Sequence, residues 1–156
     1  MHKVTIYTDG ASKFNGTDHA AGGWSAILIY GNVRKPISGG EMFATNNQME
    51  LRAVIEGVRA LKVPCEVEVY TDSTYIVGNS ARIRAWRSNG WKKTKSNAAP
   101  KNLDLWQELI KVGLEGKHKI SFHKVPAHAG NELNEACDRL AKKAAETTMI
   151  RNGWRV

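Results

Sequence analysis

The chain has 156 residues, of which 42% are hydrophobic, and a net charge of +8. That length suits one domain burying about two thirds of its unfolded surface and leaves no room for a second. No apolar run approaches the roughly 20 residues of a membrane span and no signal-peptide pattern precedes the first predicted strand, so a soluble, cytoplasmic protein without a membrane partner is expected.

The first predicted strand, Lys3 to Gly10, alternates β-branched and aromatic residues and ends on Asp9, a carboxylate that strand packing does not call for. A polar loop is expected from Ala11 to Ala21, then a second strand from Gly22 to Tyr30. Gly31-Asn32 signals a turn into a third strand, Val33 to Ala44, interrupted near Pro36 and Gly39-Gly40 as an edge strand tolerates. Short connections make these three antiparallel. Thr45 and Gln48 form a capping box that opens a helix, with Leu51, Val54, Ile55, Val58 and Leu61 as its apolar stripe and Glu50 on the stripe's border.

Tyr-Thr-Asp recurs at Tyr70-Thr71-Asp72, at the end of a strand beginning near Glu66. If that strand lies parallel to the first, Asp9 and Asp72 stand side by side and call for a cation, while a right-handed crossover lays Glu50 between them. Ser73 to Arg87 reads as one or two short helices broken at Gly78-Asn79-Ser80. From Ser73 to Leu103 there is no acid, whereas Arg82, Arg84, Arg87, Lys92, Lys93, Lys95 and Lys101 are all positive, which points to a polyanionic partner. A further helix runs to Gly116 on Leu103, Trp106, Leu109, Ile110 and Leu114, and a last strand spans Lys119 to Val125. The final helix starts near Asn131, with Leu133, Ala136, Cys137, Leu140, Ala141 and Ala144 on its apolar face and Asp138 at the border. Residues 1–148 are expected to form the domain and 149–156 a tail that is loose unless Trp154 docks. Cys65 and Cys137 lack metal-type spacing and read as buried free thiols.

Gathered in one place, Asp9, Glu50, Asp72 and Asp138 would carry a formal charge of about −4, which two divalent cations neutralise. Oxygen ligands without a histidine or cysteine cluster favour magnesium, with manganese as a substitute, over zinc.

These residues sit in four segments: Tyr7-Thr8-Asp9-Gly10, Thr45 to Leu51, Tyr70-Thr71-Asp72-Ser73, and His128-Ala129-Gly130 followed by Asn134 to Asp138. Their order and content resemble the type 1 ribonuclease H family, in its bacterial form with a basic protrusion. The resemblance implies an α/β, ribonuclease H-like fold: a five-stranded mixed sheet, three antiparallel strands then two parallel, flanked by helices on both faces. It implies cleavage of the RNA strand of RNA/DNA hybrids by two metal ions, leaving 5′-phosphate and 3′-hydroxyl ends.

By the same resemblance Asp9, Glu50, Asp72 and Asp138 are the metal ligands, His128 serves proton movement and product release, and Glu135 is an outer-shell helper. Gly10, Ser12, Asn15, Thr45, Asn46, Asn47 and Asn134 are substrate contacts, with Thr45 in a DNA-phosphate pocket. Trp86, Trp91, Lys92 and Lys93 grip the hybrid from the protrusion. Ala85 stands where bacterial members often carry the asparagine of that phosphate pocket. A monomer with no obligate protein partner is expected. The competing readings are a non-catalytic hybrid-binding module, which has little use for four clustered acids, and a DNA-cutting or strand-transferring enzyme of the same general fold.

Overall fold

The computed structural model describes residues 1–88, 90, 101–125 and 131–154. Strand β1 (His2–Lys13) pairs antiparallel with β2 (Ala21–Tyr30), and β2 pairs antiparallel with β3 (Val33–Met42). On its other side β1 runs parallel to β4 (Cys65–Thr71), which runs parallel to β5 (Lys119–Lys124). The sheet is therefore five-stranded and mixed, as the resemblance implies, and its strand order is β3-β2-β1-β4-β5.

Helix α1 (Asn46–Arg59) links β3 to β4 and α5 (Glu132–Arg151) follows β5. Successive strand residues point to opposite faces, and consecutive glycines show which helix covers which. A Cβ on Gly22 would meet the Met49 side chain of α1, whereas one on Gly23 would meet the α5 backbone at Ala141 and Ala145. On the α1 side of the sheet the core gathers Ile6, Leu51, Val54, Ile55, Val67, Val69 and, from α4 (Leu103–Glu115), Trp106. Helices α2 (Thr74–Ser80), α3 (Ile83–Ser88) and α4 (Leu103–Glu115) lead from β4 to β5. The Tyr75 hydroxyl accepts from Trp106 Nε1 and Asn102 Nδ2, both at 3.0 Å, and so ties α2 to the start of α4.

Several boundaries differ from expectation. The first strand continues to Lys13, because Lys13 still pairs with Ala21, so the predicted loop shrinks to a turn. Strand β3 is uninterrupted, with Pro36 opposite Ile27; on an edge strand its missing N–H faces outward. The strand ends where Phe43 takes φ 62° and donates its N–H to Ala20 O. Gly78, Asn79 and Ser80 lie inside α2 rather than at the break, which falls at 81–82. Leu114 is exposed, and Leu105 and Gly113 face inward on α4 instead. Helix α5 passes through the expected tail boundary to Arg151 with Met149 fully buried, and the Trp154 ring lies 5.2 Å from that of His19.

Candidate active site

Asp9 lies near the carboxyl end of the β1 segment that pairs with β4, and Asp72 follows β4 directly. Tyr7 and Tyr70 are register partners, so the parallel pairing carries both acids to one end of the sheet, and their rings stack at 5.2 Å. Asp72 is held in the short link between β4 and α2: the Ser73 N–H donates to Thr71 Oγ1 at 3.0 Å, and Ser73 Oγ caps α2 by accepting from Ile76 N–H at 3.1 Å.

Glu50 reaches the same point because Gly10 has no side chain. A Cβ there would stand 2.4 Å from the Glu50 amide nitrogen and 2.7 Å from the Met49 carbonyl carbon, so β1 and the first turn of α1 meet backbone to backbone. The sequence places Glu50 on the border of the apolar stripe; the structure buries it to 3% exposure. That burial follows from a long-range contact no helical periodicity contains. The capping box at Thr45 is present as predicted, with Thr45 Oγ1 accepting Gln48 N–H at 3.2 Å and Gln48 Oε1 accepting Thr45 N–H at 2.9 Å.

Asp9, Glu50 and Asp72 each place a carboxylate oxygen within 4.8 Å of the others. Burial, reinforced by the charge of Asp72, pushes Asp9 from its ordinary 3.8 up to about 7, against the opposing pull of its hydrogen bonds with Glu50 and with Gly10 N–H. Glu50 is likewise raised well above its usual range, first by burial and then by Asp9. Glu50 Oε2 is buried without a hydrogen-bond partner, and no lysine or arginine pairs with any of the three acids among the described residues. A buried orphan oxygen among converging carboxylates is a donor set suited to a hard divalent cation.

Asp138 stands apart from that triad. Its helix is fastened just before it: Ser25 Oγ donates to Cys137 O at 2.6 Å and the Cys137 thiol donates to Tyr7 O at 3.3 Å. Burial pushes that thiol up to about 12, so it is inert. The half-exposed Asp138 carboxylate lies 2.9 Å from Lys142 Nζ, one turn on, yet its charge still raises the proton affinity of Asp9. Lys142 was not singled out from the sequence, although the four-residue spacing from Asp138 signals such a pair.

Asn15, just past β1, and Thr45, Asn46 and Asn47, at the start of α1, are exposed, Ser12 on β1 is half-buried, and Gly10 is buried. Asn15 Nδ2 donates to Ser12 Oγ at 3.1 Å. Glu135 is exposed on the first turn of α5. Asn134, expected to contact substrate, is 6% exposed with Oδ1 unpartnered, because it lies one turn before Cys137 on the inner face of α5. Ala85 is exposed on α3, which also carries Trp86. The Trp86 side chain, together with Trp91, Lys92, Lys93 and His128, lies outside the described residues.

The chain matches the family model described as RNase H over residues 1–146. Ribonuclease H of Acetivibrio thermocellus is 50% identical over 143 residues, covering 90% of this chain and 93% of its own. That of Chlorobaculum parvum is 48% identical over 143 residues, covering 90% and 94%. Among solved structures, a type 1 RNase H with the type 2 active-site motif superimposes with a TM-score of 0.82 at 30% identity, covering all of this chain and 82% of that one. An RNase H1 crystallised with an RNA/DNA hybrid shares the fold, with a TM-score of 0.68 at 23% identity and coverage of 94% and 99%. With Asp9 of β1, Glu50 of α1 and Asp72 just past β4 drawn together at one end of the sheet, and with the two curated relatives matched over 93% and 94% of their lengths and the type 1 structure over 82%, the chain belongs to the type 1 ribonuclease H family.

Proposed function

We propose that this protein is an endonuclease that hydrolyses the RNA strand of RNA/DNA hybrids with the help of two magnesium ions, leaving 5′-phosphate and 3′-hydroxyl ends. The observation that carries the proposal is the buried triad Asp9, Glu50 and Asp72, close enough to share one ion and including an oxygen with nothing else to bind. Asp138 would complete the ligand set after leaving Lys142.

When bound, divalent ions supply an activated water and stabilise the charge developing on the phosphate and the leaving oxygen. The chain's own residues prepare for this. Burial keeps water away from Asp9 and Glu50, and their raised proton affinities mean that ion binding must expel protons from this pair. Gly10 fixes Asp9 against Glu50, and the Ser73 cap fixes the link that carries Asp72.

Ser12, Asn15, Asn46 and Asn47 would supply the hydrogen-bonding groups that tell a ribose strand from a deoxyribose strand by its 2′-hydroxyl. Thr45 opens α1, and the positive end of that helix suits a phosphate. The basic segment ending at Lys101 would draw in the polyanion. Incubation with end-labelled RNA/DNA hybrid, RNA duplex and DNA duplex, with magnesium and with chelator, tests the reading. Cleavage confined to the RNA of the hybrid and abolished by chelator is expected; equal cleavage of DNA duplex, or cleavage in chelator, would sink it.

A further inference from the structure

Helix α5 carries two apolar stripes, and the sheet covers only one. Cys137, Ala141, Ala145 and Met149 are buried, whereas Leu133, Ala136 and Leu140 on the adjoining flank stay partly exposed. With Ile27 and Pro36 they line a hollow of about 390 Å³ beside the edge strand β3. Leu140 and Lys143 also line a second hollow of about 290 Å³ that extends to Arg151, so the two form one groove along the helix. Its rim is basic. Arg34, Arg139 and Lys143 are exposed cations with no ion pair among the described residues, against the single acid Glu132.

At about 100° per residue, Leu140 stands about 160° around α5 from Asp138, so the groove opens on the flank away from the carboxylates. Among the described residues no aromatic ring lines it, and these offer nucleobases nothing to stack on. Its aliphatic floor needs aliphatic anchors, and its rim needs carboxylates. Its stretch from Leu133 to Thr147 is about 21 Å long, the span of roughly six or seven residues of extended chain. Among the described residues no strand pairs with the outer edge of β3, which offers main-chain hydrogen bonds alongside.

We propose that the groove between α5 and β3 docks an extended acidic segment of a partner protein, its aliphatic side chains entering over Leu133, Ala136 and Leu140 and its carboxylates meeting Arg34, Arg139 and Lys143. The test uses the full chain and a fluorescent heptapeptide alternating aspartate with leucine, with lysine replacing aspartate in a control peptide. Saturable binding of the acidic peptide alone is expected, with NMR amide shifts confined to β3 and the outer flank of α5. Arg34→Glu combined with Lys143→Glu should weaken binding at least tenfold, and Arg34→Gln with Lys143→Gln at least threefold, while hydrolysis of the hybrid stays within twofold and the melting profile stays cooperative. Absence of saturable binding, indifference to both double variants, or shifts elsewhere would overturn the proposal. So would displacement of the peptide by single-stranded DNA from the same residues, or a raised KM for hybrid in the variants, since either assigns the groove to nucleic acid.

Discussion

A carboxylate at Asp9 is placed where ionisation is hard: 4% exposed and beside two other acids. Its pKa in the folded chain, about 7, lies above its ordinary 3.8, so the folded state holds this proton more tightly than the unfolded state does. The resulting stabilisation is fully present below about pH 4 and is lost as pH rises through about 7. In chelator, the melting temperature should therefore fall between pH 5 and pH 8 by more in the natural chain than in Asp9→Asn, as measured by calorimetry; equal falls would refute the raised affinity. Asp72→Asn removes a charge without removing volume. It should keep the fold and the binding of hybrid but lose hydrolysis by roughly 10²–10³-fold, the scale of one electrostatic interaction made in the transition state. Normal turnover by that variant would end the metal-ligand reading of the triad.

Glycines decide how closely elements approach, and their replacement separates two physical effects. In Gly23→Ala the new methyl would sit 2.1 Å from Ala141 O and 2.4 Å from Ala145 N, against backbone that cannot rotate away. Overpacking should cost about 1–3 kcal/mol in urea unfolding, and the displaced α5 should lower kcat through Asp138. Gly78→Ala, in the interior of α2 with nothing within 4 Å, should instead stabilise by about 0.5–1 kcal/mol. The glycines also explain which parts of the elements are legible in the sequence. Local signals such as the Thr45 box and the start of α5 at Asn131 are written within a few residues, and both stand in the structure. The inward stripe of α5 departs in part from the hydrophobic pattern, because Gly23 and Gly40 let the helix lie so close that small residues, Cys137, Ala141 and Ala145, occupy the middle of the buried face between Asn134 and Met149. Leu133 and Leu140, the residues that hydrophobicity alone sends to the core, are pushed to the flank.

For the molecule as a whole, the +8 charge should make hybrid affinity steeply dependent on salt. Replacing Lys92 and Lys93 with alanine should reduce the slope of log affinity against log salt by roughly one unit for each phosphate that these side chains neutralise; an unchanged slope would exclude those lysines from the interface. The meeting of Asp9 with Asp72 is foreseeable once the two Tyr-Thr-Asp strands are taken as parallel neighbours, as they prove to be. The depth of Glu50 is not, because it depends on what Gly10 lacks forty residues away. That bare contact has an outcome for selectivity. Main chain pressed on main chain fixes the spacing of the two backbones from which Asp9 and Glu50 reach, leaving only their side chains to adjust. Magnesium, with bonds of about 2.0–2.1 Å, and calcium, at about 2.3–2.6 Å, require different widths. On the proposed metal-binding reading, the β1–α1 contact would limit how far the main chains under Asp9 and Glu50 can part for the larger ion.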